Sequence, residues 1–80
     1  MTETTGDVRA LVEQIAKWMV DAPDQVFVDQ LDDDVIELEV AEADVGKVIG
    51  RQGRNVRALR TLLGAAGVRA RKRYTLEVID

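Results

Sequence analysis

The sequence contains no cysteine and no histidine among its 80 residues, and it has a single proline. Without cysteine and histidine, the chain lacks the thiolate nucleophile, the most common general base and the usual zinc ligands. A chain of this length also has a small core, which leaves little room for a deep substrate pocket. We therefore expect a protein that is not an enzyme and that needs no metal or other cofactor.

Long hydrophobic runs are also missing, because no apolar stretch approaches the roughly 20 residues that a helix needs to span a bilayer. Residues 1–7 are polar and acidic, unlike a signal peptide. We expect a cytoplasmic protein without membrane insertion. The composition, 46% hydrophobic and 32% charged, is typical of a globular protein. It predicts one domain over residues 1–80, with residues 1–6 flexible.

The net charge of −4 is distributed unevenly along the chain. Residues 1–44 contain thirteen acidic and two basic side chains, a sum of −11, whereas residues 45–80 contain nine basic and two acidic side chains, a sum of +7. Two interpretations remain open. The basic half binds a polyanion, or the two halves pair their charges within the molecule.

The hydrophobic spacing predicts the order α-β-β-α-α-β. The first helix should cover residues 8–20, with Asp7 as its N-cap and Pro23 beyond its end. Strands should follow over residues 25–31 and 36–40, because β-branched and alternating apolar residues dominate there. The three aspartates at 32–34 fit a hairpin turn, and an acidic metal site is the alternative.

The second half should contain a short helix over residues 45–49, capped by Asp44, and a longer helix from Arg54 that ends at Gly64 or Gly67. A third strand should cover residues 71–79. Since the first two strands form a hairpin, the third must run parallel to one of them. The predicted fold is therefore α+β, with a three-stranded mixed sheet and all helices on its one apolar face.

Two glycines, Gly50 and Gly53, separate the last two helices with only Arg51 and Gln52 between them. Glycine permits sharp turns and close backbone approach, and the following helix N-terminus favours a phosphate group. The pattern fits neither a nucleotide-binding P-loop nor the dinucleotide fingerprint. On spacing alone, the segment is either a phosphate-binding loop or only a tight turn between helices.

Residues 48–56, VIGRQGRNV, resemble the I-G-x-x-G-x-x-I signature of the KH RNA-binding domain, with Val56 where isoleucine is usual. The predicted element order is similar to the bacterial type II form of that domain. The chain length resembles that of the small bacterial KhpA family. This resemblance covers nearly the whole chain, and it implies that the loop clamps about four nucleotides of single-stranded RNA.

The resemblance also implies which residues bind RNA. Three groups are expected: the loop itself, the neighbouring polar and basic side chains, and an apolar floor beside which bases lie. The loop consists of Gly50, Arg51, Gln52 and Gly53. The neighbouring polar and basic side chains are Lys47, Arg54, Asn55 and Arg57. The apolar floor consists of Val45, Val48, Ile49 and Val56.

A protein of this kind is expected to act as a post-transcriptional regulator or RNA chaperone, as a homodimer or together with a longer Jag-type KH protein. Two other functions remain open. The chain could be a protein-interaction scaffold whose loop no longer binds RNA, or an accessory factor in ribosome assembly. The sequence does not separate the regulatory role from the ribosomal one.

The aromatic residues number only three, so base stacking on the open sheet face is not expected. Glu37 and Glu39 would also repel phosphates there, and RNA should approach from the helix side. Trp18 is expected either in the core or in a partner contact. Arg57 and Arg60 are either solvated or bound to phosphate. The basic segment 69–73 is expected to flank the RNA groove.

Overall fold

A computed structural model describes residues 7–32 and 34–79 of the chain. Within these residues the order of helices and strands is the predicted one, α-β-β-α-α-β. The elements are α1 (Val8–Met19), β1 (Phe27–Leu31), β2 (Val35–Glu39), α2 (Val45–Ile49), α3 (Arg54–Ala70) and β3 (Thr75–Ile79). Short 3-10 turns precede β1, α2 and α3, at Pro23–Gln25, Glu42–Asp44 and Arg51–Gly53.

The sheet is mixed, as predicted. Its central strand β2 runs antiparallel to β1 and parallel to β3. Alternate residues point to opposite faces. Ile36 and Leu38 of β2 are fully buried beneath the helices, together with Leu76 of β3. The core also contains Val12 and Ala16 of α1, so helices and sheet share one hydrophobic cluster.

The first helix begins as the sequence predicts. The Asp7 carboxylate accepts a hydrogen bond from the Ala10 backbone amide at 3.1 Å, which satisfies one of the free donors of the first turn. Trp18 lies near the other end with 75% of its surface exposed. The interpretation of Trp18 as a core residue is therefore wrong, and a partner contact is the alternative that remains.

The link between β1 and β2 is a tight turn, as expected from its three aspartates. The Asp34 amide donates to the Leu31 carbonyl at 3.2 Å, and Asp32 has a positive φ of 51°. Aspartate tolerates this conformation better than most residues. Asp33 and the predicted flexible residues 1–6 lie outside the described residues. Among the residues described, no group of acidic side chains is arranged to hold a metal ion.

Two strands are shorter than predicted. The strand β1 begins at Phe27 rather than at residue 25, because Pro23–Gln25 forms a 3-10 turn. The strand β3 begins at Thr75 rather than at residue 71, because the preceding residues belong to the turn that follows α3. In both cases the chain first has to leave a helical turn before it can join the sheet.

The helix α3 passes through both Gly64 and Gly67, so the predicted stop at either glycine is wrong. It ends instead at Ala70, and the next residue, Arg71, adopts the left-handed conformation with φ 59°. The Lys72 amide donates to the Gly67 carbonyl at 2.8 Å and the Arg71 amide to the Val68 carbonyl at 3.4 Å. These two bonds form a Schellman motif, the usual way to satisfy the last carbonyls of a helix.

Asp44 does not cap α2 with its side chain, contrary to the prediction. Its carboxylate is buried, with 2% of the residue exposed, and it accepts a hydrogen bond from the Ala22 amide at 3.1 Å. A buried carboxylate needs such a partner. The bond joins the segment after α1 to the start of α2, and thereby fixes the position of the helix that leads into the glycine loop.

Candidate nucleic-acid interface

The loop of residues 50–53 reverses the chain between α2 and α3 through three residues with positive φ. Gly50 ends α2 with φ 79° and ψ 168°, Gln52 has φ 57°, and Gly53 has φ 75°. The Gly53 amide donates to the Gly50 carbonyl at 3.0 Å, which closes the turn. Arg51 and Gln52, in the middle of the loop, are both exposed.

The two glycines are required for different reasons. A Cβ at Gly50 would lie 2.7 Å from Asn55 Cγ and 2.8 Å from the Asn55 amide nitrogen, which is too close for any side chain. A Cβ at Gly53 would meet nothing nearer than Val56 Cγ1 at 4.0 Å. Gly50 therefore allows α2 and α3 to approach closely, whereas Gly53 only provides a positive φ.

Two of the residues predicted to bind RNA support the conformation of the loop with side-chain hydrogen bonds. Asn55 Nδ2 donates to the Lys47 carbonyl at 2.8 Å, and an Arg57 guanidinium nitrogen donates to the Gln52 carbonyl at 2.8 Å. The first bond joins the start of α3 to α2, and the second joins it to the middle of the loop. Their side chains thus hold the loop in shape, a role that their spacing in the sequence does not reveal.

The cations around the loop differ in their surroundings. Arg51 and Arg54 are exposed, and within the described ranges their side chains have no ion-pair or hydrogen-bond partner. Lys47 Nζ lies 3.3 Å from Asp21 Oδ2, in a pair whose two side chains are largely exposed. An exposed pair of this kind contributes little to stability. It is a contact between the acidic and basic halves of the sequence, so charge pairing between the halves accounts for Lys47 but not for Arg51 or Arg54.

The four predicted floor residues separate into two pairs. Val48 and Val56 are 0% and 7% exposed and belong to the core beneath the loop. Val45 and Ile49 pack against that core but remain half-buried. The apolar surface that a ligand could reach beside the loop is therefore formed by Val45 and Ile49, while the other two valines support it from below.

The remaining basic residues do not surround the loop. Arg60 donates from its guanidinium to the Leu76 carbonyl of β3 at 3.2 Å. The segment 69–73 lies at the opposite end of α3, about 25 Å away, because 17 residues of helix rise about 1.5 Å each. It therefore does not border the loop, and its expected place beside the RNA groove stays a prediction.

The sheet face turned away from the helices is acidic. Asp29, Glu37 and Glu77 occupy one row across the three strands, and Glu39 occupies the next row. By contrast, residues 51–73 contain eight basic and no acidic side chains. The molecule is therefore polarised between its two faces, and a phosphate chain is repelled from the open sheet face and attracted to the side that carries the loop.

Comparison with known proteins matches a family model described as "KhpA/KhpB, KH domain" to residues 9–78. A protein of Clostridium acetobutylicum named RNA-binding protein KhpA is 45% identical over 75 residues, which cover 90% of this chain and 100% of the relative. Proteins of the same name from Borreliella burgdorferi and Bacillus subtilis are 42% and 40% identical, and cover 94% and 96% of this chain and 95% and 99% of the relatives. No solved structure gives a significant match. A membrane-spanning helix is absent from residues 7–32 and 34–79.

Proposed function

This chain belongs to the KhpA/KhpB family of KH domains, and from that premise we propose that it binds single-stranded RNA at the loop of residues 50–53. The relatives named above are each called an RNA-binding protein. The observation that carries the proposal is the exposure of Arg51 and Gln52 between two glycines of positive φ, directly before the start of α3.

The backbone of the loop supplies one part of the binding. The Arg54 amide donates to the Arg51 carbonyl, but no side chain among the described residues caps the first turn of α3, so the amide donors that follow Arg54 can face a ligand. These donors and the positive end of the helix dipole attract a phosphate group. Arg51 and Arg54 add two cations beside the same position. The contact is with the RNA backbone, and we therefore expect little selectivity among base sequences.

The apolar surface beside the loop supplies the second part. Val45 and Ile49 are half-buried next to the turn, and a base whose phosphate is held by the loop would lie against them. A KH loop clamps about four nucleotides of one strand, and their base edges must be unpaired. We accordingly expect tighter binding to single-stranded RNA than to duplex RNA.

The test is the double substitution Arg51→Asp with Gln52→Asp, which changes the charge of the loop by −3. Aspartate tolerates the positive φ of position 52, and both positions are exposed, so stability should change by no more than about 0.5 kcal/mol at each. Binding of a labelled oligonucleotide, measured by fluorescence anisotropy, should weaken at least about tenfold, because phosphate contacts are replaced by repulsion.

The matched control is Arg9→Asp with Gln14→Asp on α1. It replaces the same residue types at two exposed positions and changes the net charge equally. The control should bind RNA within about twofold of the unmodified protein, since it removes no phosphate contact. Equal binding by both double variants would show that overall charge alone governs affinity, and the proposed site would then be wrong.

The proposal includes association with a second KH protein, either another copy of this chain or a Jag-type protein, because one domain reads few nucleotides. Trp18 and Leu11 support it, since both are exposed and lie two turns apart on α1. Trp18→Ala should weaken association in sedimentation experiments and change the free energy of unfolding by less than about 0.5 kcal/mol. Unchanged sedimentation would remove Trp18 from the interface.

The cellular role proposed for this binding is cytoplasmic post-transcriptional regulation or RNA chaperone activity. Crosslinking of the protein to RNA in cells, followed by sequencing of the bound RNA, distinguishes it from ribosome assembly. Enrichment of messenger or small RNAs supports the regulatory role, whereas enrichment of ribosomal RNA precursors alone contradicts it.

A further inference from the structure

A shallow depression lies at the C-terminal end of α3, away from the loop of residues 50–53. It is lined by Gly64, Gly67, Val68 and the half-buried ring of Tyr74, together with three consecutive cations, Arg71, Lys72 and Arg73. A lining of apolar, aromatic and cationic side chains is the combination that single-stranded nucleic acids contact through bases and phosphates.

The turn after α3 gives these cations a fixed backbone. The Schellman bonds from the Lys72 and Arg71 amides hold the turn against the last helical residues. Gly67 permits this arrangement, since a Cβ at that position would overlap the Lys72 carbonyl oxygen. The cations therefore lie on a defined turn at the end of a helix and not on a flexible tail.

The depression lies on the same face of α3 as the first cations of the helix. Residues three or four positions apart are neighbours on one helix face. Steps of three and four residues lead without interruption from the loop to the depression, along Arg54, Arg57, Thr61, Gly64, Val68 and Arg71. These six residues are exposed, and none of them is acidic.

Gly64 lies midway along this face and has no internal reason to be glycine. A Cβ there would meet nothing within 4 Å, and its φ is not in the left-handed region. A glycine inside a helix reduces stability by about 1 kcal/mol relative to alanine. Its bare backbone does allow a ligand to approach α3 closely at this point.

We infer that the depression at the end of α3 is a second contact for the same RNA strand, reached along the face from Arg54 to Arg71. This inference rests on the proposed function of the loop. The two sites are about 25 Å apart, which corresponds to roughly seven nucleotides of a stacked strand at about 3.4 Å each. An RNA of about four nucleotides occupies only the loop, and one of about 12 nucleotides occupies both sites.

The test compares two RNA lengths with the variant Arg71→Asn and Arg73→Gln. Asparagine tolerates the left-handed conformation of position 71, so the turn is retained while two charges are removed. The control, Arg9→Gln with Lys17→Gln on α1, removes the same charge. Affinity for the RNA of about 12 nucleotides should fall about tenfold in the test variant only, and its salt slope should decrease in magnitude by about 1.4, or about 0.7 for each lost contact.

Affinity of the same variant for the RNA of about four nucleotides should stay within about twofold of the unmodified protein, because that RNA does not reach the depression. If the longer RNA binds the test variant and the control equally, the second contact is refuted. Loss of self-association by the test variant, with RNA binding unchanged, would also refute the second contact, because the cations would then bind an acidic protein surface.

The loop variant Arg51→Asp with Gln52→Asp keeps the two proposals separate. If that variant loses the RNA of about four nucleotides while the depression variant retains the longer RNA, the proposed function stands and only the second contact fails. If the loop variant retains the short RNA, the proposed function itself fails.

Discussion

The two ends of α3 reverse the chain by similar backbone conformations but with different supports. At the N-terminal end, glycines and Gln52 have positive φ, and Asn55 and Arg57 brace the turn with side-chain hydrogen bonds. At the C-terminal end, Arg71 itself has positive φ, and backbone bonds close the turn. The side chains available to a ligand are therefore different at the two ends.

The helix dipole adds a further difference between the ends. The N-terminal turn presents amide donors to a phosphate group, whereas the C-terminal turn presents carbonyl oxygens, which repel it. The loop can hold a phosphate with its backbone, and the depression depends on its cationic side chains alone. RNA contacts at the depression should therefore be the more sensitive of the two to loss of charge.

The largest effect on stability is expected from Gly50→Ala at the N-terminal end. The new Cβ would overlap three atoms of Asn55, and alanine would have to adopt φ 79°. Overlap and backbone strain together should lower the free energy of unfolding by about 3 kcal/mol, measured by urea denaturation. Gly53→Ala is the control, and it should lower the same quantity by only about 1 kcal/mol.

Equal losses for the two alanine variants would contradict the different reasons that we assign to the two glycines. A small loss for Gly50→Ala would mean that α2 and α3 separate easily, and the loop would then not be a rigid site for a phosphate group.

At the C-terminal end, replacement of glycine by alanine should change the free energy of unfolding in opposite directions at two positions one turn apart. Gly67→Ala places a Cβ against the Lys72 carbonyl and should lower the free energy of unfolding by about 2 kcal/mol. Gly64→Ala meets open space and should raise it by about 1 kcal/mol, because alanine is the better helix former. Thermal and urea unfolding of both variants measure the difference, and equal signs would contradict the account of this turn.

The smallest effect is expected from Arg71→Gly. Glycine relieves the strain of φ 59° but increases the conformational freedom of the unfolded chain, so the free energy of unfolding should rise by only about 0.5 kcal/mol. A decrease in the melting temperature would show that the Arg71 side chain contributes packing that its exposure does not indicate.

The element order and the glycine loop were predictable because both depend on short-range patterns. Hydrophobic spacing distinguishes α1 and α3 from the alternating strand β2, and a hairpin followed by helices allows only a mixed sheet. The turn was predictable because Gly50 and Gly53 stand two residues apart between apolar segments, whereas its assignment to RNA came from the resemblance of residues 48–56 to the KH signature. These features need no knowledge of which residues meet across the fold.

Several errors concern contacts or exposure that the sequence pattern does not show. Asp44 resembles an N-cap in the sequence, but its partner is the amide of Ala22, 22 positions away. Gly67 resembles a helix end, yet its missing Cβ makes room for the turn that ends the helix later. Trp18 continues an apolar stripe, but only the tertiary structure shows that nothing among the described residues covers it.

The most direct test of RNA binding at the loop is a titration of the isotope-labelled protein with single-stranded RNA of about four nucleotides, followed by backbone amide NMR shifts. We predict that the largest shifts occur at residues 50–55 and that Asp29, Glu37 and Glu77 on the open sheet face stay unchanged. Largest shifts on that sheet face, with residues 50–55 unaffected, would contradict the account.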